Sequence, residues 1–157
     1  MQFRMKTHQL PPEEIEALLE RAQTGALATV NPEGTPYAVP VHFARMGEYV
    51  YVHGLPAGQK LGNIKADPHI CLTVWEMRGL LPDEEGRPCE TNTAYVSAVL
   101  CGRAQLVDDA EEKTRALSGI VAKYMPELVG RELPGNMLRG TAVLRIETDA
   151  LTDKYWP

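Results

Sequence analysis

The pattern of apolar and polar residues predicts one helix near the start of the chain and then a series of strands. Apolar side chains at Ile15, Leu18, Leu19 and Ala22 recur with the spacing of one helix face, after a proline pair typical of a first helical turn. After Gly25 the pattern changes to the shorter alternation of β-strands. The predicted strands cover residues 26–30, 35–44, 49–53, 69–75, 93–107 and 141–148. The remaining predicted helices cover residues 59–66 and 108–124.

The order of these elements indicates a mainly β protein with flanking helices. Most of the six strands are joined by short turns, and the strand–helix–strand alternation of a parallel sheet is missing. A small antiparallel barrel fits this order, with residues 1–157 as a single domain. Residues 76–91, rich in glycine, proline and acidic residues, are predicted to form a surface loop, and residues 149–157 a tail.

Two prolines interrupt the strand predicted over residues 35–44. Pro36 and Pro40 have no backbone N–H and cannot donate to a neighbouring strand. The strand must therefore lie at an edge, bend, or leave backbone groups directed at something other than a strand. A bound ligand could occupy that place.

Composition and charge limit the partners of this protein. The 157 residues carry a formal net charge of −5, which argues against a general nucleic-acid binder. No apolar run reaches the roughly 18 residues that a membrane-spanning helix needs. Cys71, Cys89 and Cys101 are widely spaced and are interpreted as reduced thiols. A cytoplasmic protein with no membrane partner is expected.

The segment from His53 to Lys60 carries the clearest chemical signal. Gly54 and Gly58 expose backbone N–H groups at a strand-to-helix turn, and Lys60 lies in the first helical turn, which is an arrangement that binds anions. The spacing is not that of a nucleotide-binding P-loop, and Leu61 replaces its hydroxyl residue. An ordinary connection is the alternative for the turn, and a capping or half-buried role is the alternative for His53.

Other catalytic patterns receive little support. His69 and Cys71 share one strand face, but no third or fourth ligand follows at a suitable spacing, so no metal site is predicted. The chain lacks the G-x-S-x-G turn that presents a nucleophilic serine. A hydrolase is therefore not expected.

Two motifs occur in order in the first half of the chain: G-x-P-Y-x-x-P over residues 34–40, and H-G-x-x-x-G-x-K over residues 53–60. Together with the surrounding strands they resemble the FMN-binding split-barrel superfamily that includes pyridoxamine 5'-phosphate oxidase, and within it the branch of the nitroimidazole-resistance proteins. The resemblance extends from the first helix to the last strand. It implies a six-stranded antiparallel split barrel with Greek-key connections, and a homodimer with FMN at two sites built from both subunits.

The resemblance also assigns positions around the cofactor. In the family, the flavin ring lies against the backbone of one strand, and the following strand end and loop approach the phosphate. Residues matched to the ring are Ala38, Val39, Pro40, Val41 and His42, and those matched to the phosphate are His53, Gly54, Gly58 and Lys60. Trp75, Tyr95 and Ser97 match positions that reach the cofactor, from the other subunit in this interpretation. The alternative for these three is a purely structural role in the barrel.

The function implied is that of an FMN-dependent oxidoreductase that takes a hydride from NADH or NADPH and reduces a small nitro compound or quinone. His53 is the candidate catalytic residue for proton delivery. Pyridoxamine phosphate oxidation is not favoured, because the basic substrate contacts of that oxidase are missing. A deazaflavin cofactor is not favoured either, because the chain has few clustered basic residues. The alternative is a carrier of flavin or haem without turnover, with His8, His42 or His53 as possible haem ligands. The loop over residues 76–91 could close over the flavin or contact the partner subunit.

Overall fold

The computed structural model describes residues 6–157, which form a seven-stranded antiparallel sheet with flanking helices. The strands are β1 (Gly25–Val30), β2 (Pro36–Val41), β3 (Phe43–Met46), β4 (Tyr49–Gly54), β5 (His69–Leu81), β6 (Asn92–Leu106) and β7 (Ala142–Trp156). The helices are α1 (Pro12–Arg21), α2 (Gln59–Ala66), α3 (Ala110–Tyr124) and α4 (Gly135–Gly140). Short 3-10 turns cover Pro88–Glu90 and Pro126–Leu128. The predicted mainly β, antiparallel class is confirmed.

The order of the strands explains why the sheet has seven strands where six were predicted. Neighbouring strands follow the order β2-β1-β5-β6-β7-β4-β3, so β2 and β3 are the two edges. The predicted strand over residues 35–44 is in fact both of them, because the ladder breaks at His42. A single residue thus joins the two edges of the sheet. The edges must therefore meet there, and the sheet curls into a barrel that is split at this point.

The core fills the inside of this curled sheet. Side chains alternate between buried and exposed along the strands, as period-2 packing requires. Fully buried residues include Leu27, Phe43, Leu72, Leu100 and Ile146. Helix α1 covers one end of the barrel with Leu18 and Leu19, which are also fully buried. The core rests on aliphatic side chains, with Phe43 as its one large aromatic ring among the fully buried residues described.

The hairpin of β5 and β6 is longer than the sequence pattern predicted. Strand β5 continues to Leu81, and β6 begins at Asn92, so the connecting loop spans residues 82–91 rather than 76–91. The ladder tolerates Gly79 because the register shifts there, between Met77 and Gly79. Gly79, which the sequence pattern placed in a loop, therefore lies at an irregularity inside β5 and not beyond the end of that strand. Gly102 likewise lies at a register shift, between β6 and β7.

Two further boundaries differ from the prediction. The expected tail over residues 149–157 is the second half of β7, which pairs with β6 as far as Trp156. Pairing partners distant in sequence hold this segment, and its own composition gave no sign of them. Helix α3 begins at Ala110 and not at residue 108, because Asp109 caps it: the Asp109 side chain accepts from the Glu112 N–H at 2.7 Å. Within residues 6–157 no helix is long and apolar enough to span a membrane.

Candidate functional site

A cavity of about 340 Å³ opens where the two edges of the sheet meet. Strand β2 and the residue that follows it form one wall, and the end of β4 with the start of α2 forms the other. The lining residues are Thr24, Pro40, Val41, His42, His53 and Lys60. Five of these six were singled out from the sequence, and the fold brings them together from three separate segments.

His53 and Lys60 give this cavity its electrostatic character. His53 Nδ1 is buried and has no hydrogen-bond partner among the described residues. Burial, together with the nearby His42 and Lys60, lowers the pKa of His53, so its imidazole is neutral near pH 7. Burial also lowers the pKa of Lys60, and no described carboxylate offsets this shift. The cavity therefore combines a partly buried ammonium with an imidazole nitrogen that has no hydrogen-bond partner among the described residues.

Glycines make room for the Lys60 side chain. A Cβ at position 54 would lie 3.3 Å from Lys60 Nζ, closer than most such contacts, so glycine allows the ammonium to fold over the end of β4. Gly58 precedes the first residue of α2 with φ of 133°, a conformation that side-chain-bearing residues rarely adopt. The turn that presents Lys60 therefore depends on the conformation of Gly58, while Gly54 leaves room for the Lys60 ammonium.

Asn63 anchors α2 beside the cavity, and the sequence analysis missed it. This buried amide donates to Thr29 Oγ1 at 3.0 Å and to Asn31 Oδ1 at 2.8 Å. Gln59, in the first turn of α2, donates to the same Asn31 oxygen at 2.9 Å. The three bonds tie the helix to the end of β1 and so fix the position of Lys60. A buried asparagine on the apolar face of a predicted helix was the available signal.

The outer edge of β2 is short of hydrogen-bond donors. Across the β1–β2 turn, the Thr35 carbonyl accepts from the Asn31 N–H at 2.8 Å, so the odd-numbered residues of β2 face β1. Pro36, Ala38 and Pro40 therefore direct their backbone away from β1. Two of these three residues have no N–H, which leaves carbonyl oxygens and the Ala38 N–H along a free edge. Such an edge resists pairing with another strand but can still hydrogen-bond a ligand.

Tyr124 positions His42 at the mouth of the cavity. The two rings stack with their centroids 4.5 Å apart. The Tyr124 hydroxyl accepts from the Phe43 N–H and donates to the Phe43 carbonyl, both at 2.9 Å. These bonds satisfy backbone groups at the start of β3, next to the break in the ladder. The sequence pattern placed Tyr124 on the buried stripe of α3 and gave no sign of this contact.

Three predicted cofactor contacts do not line the cavity. Trp75 and Ser97 are directly paired across β5 and β6, and Tyr95 faces Met77 two pairs further along. Strand β1 separates β5 from β2, so Trp75 lies about two strand spacings, roughly 10 Å, from the β2 edge. Trp75 is 53% exposed, a high value for a tryptophan. Within one chain these three residues form a surface beside the cavity and not a wall of it.

A larger cavity of about 590 Å³ lies between α1, β3 and α3, but its two basic side chains, Arg45 and Lys123, already have partners. Lys123 Nζ donates to the Leu19 carbonyl at 2.8 Å and lies 3.7 Å from the centre of the Phe43 ring. Burial lowers the pKa of Lys123 to about 8. Arg45 in the same cavity pairs with Glu16 at 3.0 Å. Lys123 thus serves the last turn of α1, where free carbonyls favour a cation.

The described part of the chain offers no arrangement of side chains that supports metal ligation. Within residues 6–157 no group of three His, Cys, Asp or Glu side chains is placed to hold a metal ion. His69 is exposed and bonded to Asp67 at 2.7 Å. The chemistry that the site offers is therefore anion binding next to a neutral imidazole and a free strand edge.

Comparison with known proteins places this geometry in a family. The family model for pyridoxamine 5'-phosphate oxidase matches residues 11–154, most of the chain. No curated protein sequence matches significantly.

Solved structures resemble the whole fold. The flavocytochrome Anf3 from Azotobacter vinelandii is 25% identical, with a TM-score of 0.86 over 100% of this chain and 72% of that chain. An FAD and haem binding protein from Mycobacterium smegmatis is 22% identical, with a TM-score of 0.83 over 94% and 73%. A protein assigned to 5-nitroimidazole antibiotic resistance in Bacteroides thetaiotaomicron is 24% identical, with a TM-score of 0.75 over 92% and 83%.

Proposed function

Since the chain belongs to the pyridoxamine 5'-phosphate oxidase family, we propose that the cavity between β2, β4 and α2 binds FMN. The observation that carries this proposal is the buried Nδ1 atom of His53, which has no hydrogen-bond partner among the described residues and lines the same cavity as the partly buried Lys60 ammonium. Leaving such groups without partners costs free energy, which a phosphate placed between them would recover. The donor set therefore fits the phosphate end of the cofactor.

The local backbone supports the same assignment. Gly58 precedes α2, whose first N–H groups have no side-chain cap and no acidic residue in the first turn. A phosphate at this end would accept hydrogen bonds from those N–H groups and from the Lys60 ammonium. Asn63 and Gln59 hold the helix start in place before the ligand arrives. Binding would then require little reorganisation of the protein.

The flavin ring would lie along the free edge of β2. Within the stretch Ala38, Val39, Pro40, Val41 and His42, the Ala38 and Pro40 carbonyl oxygens and the Ala38 N–H are directed away from β1 and would face a ring with acceptors and donors on its rim. When bound, FMN supplies the redox chemistry, taking a hydride from a donor and passing electrons to an oxidant. The role of the protein is to orient the ring and restrict access to it.

We assign a reductase activity toward a small oxidant such as a nitro compound or a quinone, with NADH or NADPH as donor. His53 is neutral at pH 7, and because its Nδ1 atom is assigned to the phosphate, its other ring nitrogen, Nε2, is the candidate group for taking up or releasing a proton. The chain has no G-x-G-x-x-G segment for a resident nicotinamide. A nicotinamide donor would therefore stack on the ring only during transfer.

A homodimer completes the proposed site. Trp75, Tyr95 and Ser97 lie beside the cavity of their own chain and would reach the cofactor held by a second copy. The neighbouring end of the β5–β6 hairpin exposes Met77 to 64% and Leu80 to 66%, a surface that gains from being covered. The partner that fits is a copy of this chain, because each copy offers the same hairpin and the same half-open cavity.

A second candidate is a carrier of flavin or haem without turnover. The observation that favours it is the similarity to a flavocytochrome over the full chain at 25% identity. His42 and His53, with ring centroids 6.2 Å apart, provide imidazoles near the cavity mouth. The absorbance spectrum of the purified protein separates the two cofactors, because flavin and haem absorb at different wavelengths.

The first test measures FMN affinity. Lys60→Ala is expected to weaken FMN binding about 10- to 100-fold, the loss typical for a charged hydrogen bond. Lys65→Ala is the matched control, since Lys65 is exposed on the same helix and is expected to leave the affinity unchanged. Binding is followed by calorimetry, and the unfolding temperature of each variant checks the fold. A colourless protein that does not bind added FMN would overturn the proposal.

The second measurement separates the enzyme from the carrier. The FMN-loaded protein is mixed anaerobically with NADH or NADPH, and the flavin absorbance is followed. Bleaching, followed by recovery on adding a nitro compound or quinone, is the result expected for a reductase. Absence of bleaching with both donors would favour the carrier.

A further inference from the structure

Two cysteines face each other on the outer surface of the barrel, away from the proposed cofactor cavity. Cys71 of β5 and Cys101 of β6 are direct partners in the antiparallel ladder. Their Sγ atoms are 3.3 Å apart and both thiols are free. Cys101 is exposed and Cys71 is partly buried. In the sequence these residues are 30 positions apart, so the strand register alone creates the pair.

The backbone geometry allows a covalent bond between them. Directly opposed residues of antiparallel strands have Cα atoms about 4.5 or 5.5 Å apart, depending on their place in the ladder. Both values lie inside the range of about 4.4–6.8 Å found for disulfides. Rotation of the two side chains could therefore bring the sulfurs to bonding distance without moving the strands.

The surroundings give the two thiols different roles. Burial, and the adjacent Cys101, raise the pKa of the Cys71 thiol to about 11, so Cys71 is a poor first nucleophile. Cys101 is open to solvent and is the thiol that a reagent meets first. Once Cys101 has reacted, its contribution to the raised pKa of Cys71 is lost. Proximity then favours attack by Cys71 on the neighbouring sulfur.

We propose that Cys71 and Cys101 form a reversible disulfide by exchange with low-molecular-weight disulfides. The Cys101 thiolate attacks one sulfur of the reagent, a mixed disulfide forms, and the first reagent thiol leaves with the proton that Cys101 lost. The Cys71 thiolate then attacks Cys101 Sγ, and the second reagent thiol leaves with the proton of Cys71. The protein loses two electrons and two protons, and the reagent disulfide gains them as two thiols. This redox site does not depend on the proposed flavin function.

The experiment uses the full-length Cys89→Ser protein, reduced and then treated with glutathione disulfide. The expected product has lost the mass of two hydrogen atoms and carries no glutathione on Cys71 or Cys101, and peptide mapping finds these residues linked. Dithiothreitol is expected to restore the original mass. Cys89, exposed in the 3-10 turn Pro88–Glu90, is replaced by serine throughout so that its own adduct does not interfere.

Two further variants test the assigned order. Cys71→Ser is expected to accumulate the stable glutathione adduct on Cys101, because the second attack is lost. Cys101→Ser is expected to lose most of the reaction, because the partly buried Cys71 is left alone. The proposal is overturned if the Cys89→Ser protein stays unmodified, keeps a glutathione adduct on Cys101, or forms a disulfide between two chains. The unfolding temperature of each variant confirms that it is folded.

Discussion

Strand β4 carries two polar side chains, Tyr51 and His53, on one face. The polar group of Tyr51 has hydrogen-bond partners, whereas a buried ring nitrogen of His53 has none among the described residues. The Tyr51 hydroxyl donates to Glu112 at 2.8 Å, and Arg145 donates to the same carboxylate at 3.1 and 3.3 Å. His53, two residues further along, has a buried Nδ1 without a partner in residues 6–157. The cluster of Tyr51, Glu112 and Arg145 is called the closed cluster below. The cavity around His53 and Lys60 is called the open cluster.

The difference shows how one barrel separates stability from binding. In the closed cluster each charge has a partner, and burial with the Glu112 contact raises the pKa of Tyr51 to about 12. In the open cluster the pKa values of His53 and Lys60 are both lowered, since burial penalises their charged forms. A satisfied network stabilises the fold. An unsatisfied one destabilises the free protein and is stabilised by a ligand of opposite charge.

The largest expected effect comes from breaking the closed cluster. Glu112→Ala leaves the Tyr51 hydroxyl and the Arg145 guanidinium without their shared acceptor in a partly buried place. We expect a loss of about 2 kcal/mol in the free energy of unfolding. This corresponds to a fall in Tm of about 4–8 °C for a protein of this size. Thermal unfolding followed by circular dichroism measures it.

Glu111→Ala provides the control for this prediction. Glu111 is exposed in the same first turn of α3, and its loss is expected to cost less than about 0.5 kcal/mol. The affinity of the Glu112→Ala protein for FMN should remain that of the parent, since the closed cluster does not line the cavity. Equal losses of stability in the two variants would contradict the role given to Glu112.

Much of the fold was predictable from the sequence, because the alternation of apolar residues along each strand is a local signal. The predictions that were wrong concern features that depend on contacts between residues distant in sequence. The break at His42 follows from edges that meet in space, and residues 149–157 are a strand only because β6 pairs with them. Gly79 looked like a loop residue because a bulge and a turn use glycine for the same conformational reason.

The candidate site was predictable to the extent that one motif encodes it. His53, Gly54, Gly58 and Lys60 lie in one short segment, whose chemistry was readable from spacing. Asn63 and Tyr124 were missed because their roles depend on partners in other elements, Asn31 and Phe43. No periodicity reports such contacts. The same limit applies to Trp75, whose proposed role requires a second copy of the chain.

A smaller effect of opposite sign is expected when the open cluster loses its cation. Lys60→Met keeps the length of the side chain but removes a half-buried charge without a counter-ion. The cofactor-free protein should gain up to about 1 kcal/mol, a modest figure because the Lys60 side chain is only partly buried. Its Tm should rise by about 2–4 °C. FMN binding should be weakened in the same variant.

Lys65→Met is the matched control, because Lys65 is exposed on the same helix. Its Tm is expected to stay within about 1 °C of the parent protein, as usual for a surface substitution. If Lys60→Met instead lowers the Tm of the cofactor-free protein, Lys60 contributes to the fold and the contrast between the two clusters is wrong.

The smallest expected effect is a pH dependence that belongs to His53. The pKa of His53 in the folded, cofactor-free protein lies below 6.5, its ordinary value, so below pH 6.5 the unfolded chain binds more protons than the folded one. His53 therefore contributes stability that is present above pH 6.5 and is lost as the pH falls through its folded pKa. The contribution is less than about 1 kcal/mol, since His53 is only partly buried. Because carboxylates also titrate toward acid, the quantity to measure is the difference in unfolding free energy between the parent and His53→Gln from pH 7.5 to 5.5. That difference should shift in favour of His53→Gln as the pH falls. A difference that stays constant over this range would mean that His53 is satisfied in solution and that the open cluster is not open.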